Sequence, residues 1–242
     1  GAVRITIGGF LARLPMSMDS LAIIFIVLGA KERYGLAGTL TAVAAAVSVV
    51  SSPLWSHIAD KYGQAIVLKT AIPLRIISMI VFILLVNYGA PIATWFIAII
   101  FAESGSMSIG SLTRRRRALQ IGEGKAHILN AAYSFESMLD ETVFIVGPII
   151  STVLATSIAP SAGLIAGVIF LSLGGFIILS HSDSLPPTLE RESHPSLIKS
   201  RVIHSVAFPI GLLGGVFAAN NLAVVAFSEE KGSKAIAGLL LG

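Results

Sequence analysis

Glu136 and Asp140 stand four residues apart in a largely apolar stretch. On a helix that spacing places both carboxylates on one face, with Glu141 pointing elsewhere. Two carboxylates sharing a face repel one another when both are ionised, which suits a site that binds and releases a proton or meets a cationic solute. Asp19, Arg75 and Glu103 occur singly in other apolar runs. Lipid cannot solvate such groups, so each is a functional candidate by default. Arg75 and Glu103 both fall about 15 Å from the ends of their runs at 1.5 Å per helical residue. On adjacent antiparallel helices they would share a depth and neutralise each other. Asp19 either faces a cavity or bonds to Ser17, Ser20 or a neighbouring helix. Arg13 lies nearer a charged end, from which a long side chain can snorkel. A plainer geometry also fits Glu136 and Asp140. The wholly apolar part of their run starts near Thr142, which would leave Asp140 and Glu141 at a membrane interface and Glu136 outside it.

The elements that must position these groups are membrane spans. Of the 242 residues, 55% are apolar and 12% charged, against about 25% charged in soluble domains. Apolar runs near 20 residues recur along the chain, the length that crosses a bilayer core. They are continuously apolar rather than alternating, so helices are expected and not barrel strands. Seven spans are drawn at 5–28, 36–56, 65–86, 91–112, 126–156, 161–179 and 203–227, with an eighth opening near Ala235. No cysteine is present, which excludes disulfides, thiol catalysis and thiolate metal sites. His57, His127, His181, His194 and His204 lack metal-ligand spacing, so no metal and no other cofactor is expected. No glycine-rich phosphate loop with its lysine appears, which disfavours ATP-driven chemistry. An enzyme is not expected either, since Asp140-Glu141 is the one dense acidic pair within a span.

The net charge of +4 is a topology signal rather than a nucleic-acid signal. Loops after the even spans, together with Lys69 just inside the third span, carry ten Lys and Arg, including the run Arg114–Arg117. Loops after the odd spans carry four: Lys31, Arg33, Lys231 and Lys234. Basic loops stay on the cytoplasmic side. The expected arrangement is multi-pass in the plasma membrane with a cytoplasmic N-terminus. The arginine run is expected to set topology and to attract anionic headgroups of the bilayer.

The chain also repeats itself. Leu21-Ala22-Ile23-Ile24, the charged turn Lys31-Glu32-Arg33 and Leu36-Ala37-Gly38 recur as Leu222-Ala223-Val224-Val225, Glu229-Glu230-Lys231 and Ile236-Ala237-Gly238. Between the copies, Pro186-Pro187, Pro195 and mixed charges read as a linker. The expected domains are a six-helix bundle at 1–180, a cytoplasmic linker at 181–201 and the beginning of a second, truncated bundle at 202–242. Such a duplication has its axis along the membrane normal.

This organisation resembles the major facilitator superfamily of secondary transporters. The loop after the second span strengthens the likeness. Asp60, Lys61 and Gly63 match a motif typical of that family, although Ser56 stands for its first glycine and Gln64-Ala65-Ile66 for its closing basic run. Gly147-Pro148 resembles the core of an antiporter motif in which further glycines would be expected at Val143 and at Ser151-Thr152. Arg13-Leu14-Pro15-Met16, Ser137-Met138-Leu139-Asp140-Glu141 and Ala226-Phe227-Ser228-Glu229-Glu230 resemble actinobacterial members. The resemblance implies an all-α major facilitator fold, containing the first six-helix bundle and about one and a half helices of the second. It implies alternating access for a small-molecule substrate, with proton-coupled export of drugs or metabolites as the narrower expectation. Asp60, Lys61 and Gly63 would form a gating loop and Gly147-Pro148 a helix kink. Asp19, Arg75, Glu103, Glu136 and Asp140 would be the transport and proton-coupling candidates. The alternatives are a fragment without activity of its own and a polytopic membrane enzyme.

Overall fold

A computed structural model describes residues 2–122, 125–180, 201–232 and 236–241. Among these residues there is no strand. The helices run in the order α1 (Ala2–Lys31), α2 (Tyr34–Tyr62), α3 (Gln64–Asn87), α4 (Ile92–Ser104), α5 (Ile109–Ile121), α6 (Ala126–Ser157), α7 (Ala162–Leu179), α8 (Arg201–Glu230) and α9 (Ile236–Leu241). Counting α4 and α5 as one unit, six segments among the described residues are long and apolar enough to cross a membrane. Their lengths and composition fit a multi-pass membrane protein. The expected linker at 181–201 and the expected opening of an eighth span at Ala235 lie outside the described residues, except Arg201, which begins α8.

α1 is the central helix. It packs most extensively on α7 and α6 and also touches α2, α3, α5 and α8. Its residues Leu21 through Leu28 are all buried, as befits a helix that is apolar all round. Small residues let the neighbours approach, because in lipid close van der Waals packing must do much of what the hydrophobic effect does in water. A Cβ at Gly174 of α7 would sit 2.5 Å from the Ala12 backbone nitrogen and the Gly8 carbonyl of α1. Phe82, Trp95, Ile99 and Leu40 fill the main core beside α1.

Two connections bear on the candidate residues. Gly63 alone separates α2 from α3, with φ +89° and its N–H bonded to the Ala59 carbonyl. That is the tight turn expected of this glycine. The fourth span, expected as one run over 91–112, is broken. Helical structure stops at Ser104 and resumes at Ile109. Each piece has 13 residues, about 20 Å, so neither crosses a core of about 30 Å alone. Pro148 lies within the 32 residues of α6.

Candidate functional site

Arg75 of α3 reaches into the break between α4 and α5. Its Nη2 lies 2.6 Å from Asp19 Oδ2 of α1 and 3.4 Å from Glu103 Oε1 of α4. Its Nη1 donates to Ser106 Oγ, within the break, at 2.7 Å. Asp19 and Glu103 are both buried. Arg75 lies eleven residues from the start of α3, about 16 Å along its axis. The expected pairing of Arg75 with Glu103 is present, and Asp19 joins it. Two carboxylates against one guanidinium carry one formal negative charge in excess.

The surrounding helices are shaped to hold this group. A Cβ on Gly105 would clash with the Ala71 carbonyl at 2.6 Å and with Arg75 Cβ at 2.9 Å, so only glycine lets the end of α4 lie this close to α3. A Cβ on Gly167 of α7 would stand 3.3 Å from Asp19 Oδ1. Irregular backbone at membrane depth needs internal partners for its polar groups. α2 supplies them. Ser51 Oγ donates to the Glu103 carbonyl at 2.7 Å, and Trp55 Nε1 donates to the Ser104 carbonyl at 2.6 Å. Ser108 caps the new helix by accepting from the Ser111 N–H at 3.3 Å. Beside the break, an open apolar groove of about 550 Å³ runs between α2 and α4, walled by Val43, Val47, Val50, Leu54, Trp55 and Ile100.

A second polar cluster lies toward the arginine-bearing end of α5. Glu136 of α6 is buried, and it meets Arg13 of α1 and Arg117 of α5. Thr113 also contacts Arg13 and lies 3.0 Å from Glu136 Oε2. Asp140 is 3.2 Å from Arg13 and 2.5 Å from Arg114. Glu136 and Asp140 therefore share a face, as their spacing implied, and Arg13 stands between them. Arg13 is buried and does not snorkel. Asp60, at the end of α2, pairs with Arg115 of α5, while Lys61 lies over the ring of Tyr62. The run Arg114–Arg117, expected only to set topology and attract lipid, thus ties α5 to α2 and α6.

Gly147 meets α1. A Cβ there would collide with Ser17, whose hydroxyl donates to the Val143 carbonyl at 2.8 Å. The Gly-Pro pair therefore sits at a close crossing of α6 with α1. Asn221 of α8 donates to Ser20 Oγ at 3.4 Å. Among the described residues no three His, Asp or Glu side chains converge as a metal site would require.

Sequence reasoning missed the break and the partners of the arginine run. Gly105-Ser106 followed by Ser108 was the available signal, since Ser is a favoured N-cap and Gly often follows a helix. No protein-family model matches the chain, and neither a curated protein nor a solved structure matches it.

Proposed function

We propose that this chain acts in secondary active transport of small solutes by alternating access, in the manner of a major facilitator, with Asp19, Arg75 and Glu103 as the coupling site. One observation carries the reading: two buried carboxylates from different helices share a single arginine beside a broken span. The excess negative charge is neutralised by one proton or one cationic solute. A group that takes up and releases one positive charge at mid-depth is what coupling to a proton gradient requires. Broken helices at mid-depth accompany substrate and ion sites in transporters. The parallel repeat and the short interhelical turns support the same architecture. In this reading the arginine-bearing end is cytoplasmic, the protein sits in the plasma membrane, and export of drugs or metabolites is the direction.

Proteoliposomes with an entrapped pH-sensitive dye test the proposal. Under an imposed pH gradient, a panel of organic cations and small metabolites is added to the outside. At least one solute should move protons faster than in empty liposomes. Asp19→Asn or Glu103→Gln should abolish that movement while the protein still reconstitutes. Proton movement that survives both substitutions would remove the coupling role of these residues. No response to any solute in the panel would count against transport itself.

A further inference from the structure

We propose that α5 is a hinged half-helix that swings at 105–108, and that Arg75 couples its position to the carboxylates of the midplane site. The break is specified by two other helices, since Ser51 and Trp55 of α2 and Arg75 of α3 each hold a polar group at or beside it. Ser51 also lies 3.3 Å from the Ser106 carbonyl. Such partners let the backbone leave the helix without orphaned carbonyls, so bending there need not cost further hydrogen bonds. Next to the break, Ile109 and Leu112 of α5 pack into an apolar core with Leu68 and Ile72 of α3, whereas the far half of α5 is fastened by ion pairs. Arg114 meets Asp140, Arg115 meets Asp60, and Arg117 meets Glu136. The first two pairs are partly exposed at α5 or at the partner, so water can replace them.

Arg75 is the link. Its Nη1 holds Ser106, while its Nη2 holds Asp19 and Glu103. Among the described residues these two carboxylates, from α1 and α4, are the charged groups against it. Neutralising either changes what competes with Ser106 for the guanidinium. A half-helix of 13 residues is about 20 Å long, so each 10° of swing moves its far end by about 3 Å.

The inference takes its purpose from the transport reading, but its test needs no transport. The chain has no cysteine, so Leu119→Cys on α5 and Ile66→Cys on α3 can be spin-labelled uniquely. Both native side chains are exposed and lie toward the same end of the bundle. Distances between the labels are measured by pulsed electron resonance in lipid nanodiscs. Ser106→Ala should enlarge a second distance population displaced by several ångströms, and Ser106→Thr, which keeps the hydroxyl, should restore the parental distribution. Glu103→Gln should shift the same balance. Asp60→Asn should also enlarge the displaced population, and it carries the test alone if Ser106→Ala fails to fold. One unchanged distance in the parent and every variant overturns the hinge. A swinging α5 that ignores Glu103→Gln overturns the coupling through Arg75. A swinging α5 in a protein that moves no solute would sink the transport reading and leave the hinge standing.

Discussion

Arg13 and Asp140 lie 3.2 Å apart across α1 and α6, and the same guanidinium also engages Glu136 one turn earlier on α6. One arginine thus holds apart two carboxylates that would otherwise repel along a helix face. Arg13 and Glu136 are only 2% and 1% exposed, so neither can turn to solvent if its partner is removed.

Arg13→Gln should therefore destabilise the fold severely. Removing one member of a buried pair leaves the other charge uncompensated, at about 3–5 kcal/mol. Arg117 still meets Glu136 and Arg114 still meets Asp140, which favours the lower end. Chemical unfolding in detergent micelles measures it. A loss below about 1 kcal/mol, the value of an exposed pair, would show that the two remaining arginines suffice.

Charge exchange between Arg75 and Glu103 should fail in an informative way. Arg75→Glu alone gathers three carboxylates, and Glu103→Arg alone puts two guanidiniums beside Asp19. Each should prevent stable folding. Combining them restores a pair between positions 75 and 103, yet leaves Asp19, now 2.6 Å from Arg75, facing a carboxylate. Full recovery should need Asp19→Asn as a third change. Monodisperse yield after extraction reports all four variants. Full recovery by the double exchange alone would place Asp19 outside the cluster.

The legible part of this structure is what lipid dictates. Apolar runs of the right length announced the spans, and Gly63 announced the turn between α2 and α3, because both follow from local chemistry. Arg75 and Glu103 could be paired on depth alone, since the loop at 88–91 is too short to let their helices diverge. Asp19 could not be added, because α1 is brought to α3 by packing that no loop specifies. The break at 105–108 was hidden for a related reason. Gly105-Ser106 is tolerated within a membrane helix when neighbours serve its backbone, and Ser51, Trp55 and Arg75 are distant in sequence. The arginine run shows the same limit: its charge was plain, and its partners Asp60, Glu136 and Asp140 were not.

Close packing of α1 on α7 gives a matched pair of substitutions. Gly174→Ala drives a methyl group to 2.5 Å from two backbone atoms of α1, which side-chain rotation cannot relieve. Overpacking of this kind costs about 1–3 kcal/mol. Gly35→Ala, in the first turn of α2, meets nothing within 4 Å and should be neutral or stabilising by up to about 1 kcal/mol. Midpoints of thermal unfolding compare the two. Equal midpoints would mean that α7 can draw away from α1 freely.

Asp60 offers the means to separate stability from action. Its side chain is 51% exposed, and that of its partner Arg115 is 21% exposed. A pair so placed contributes about 0–1 kcal/mol, because water solvates both ends and salt screens the attraction. Asp60→Asn should leave the unfolding midpoint nearly unchanged. If Asp60 instead restrains α5 at its arginine-bearing end, the same substitution should alter the rate of solute movement in proteoliposomes several-fold. The two readings disagree about salt as well. A solvated turn residue predicts transport equally sensitive to ionic strength in parent and variant. A restraining ion pair predicts that raising salt changes the parental rate toward that of Asp60→Asn, while the variant itself barely responds. Parent and variant rates that stay equal from low to high salt would leave Asp60 as a surface turn residue.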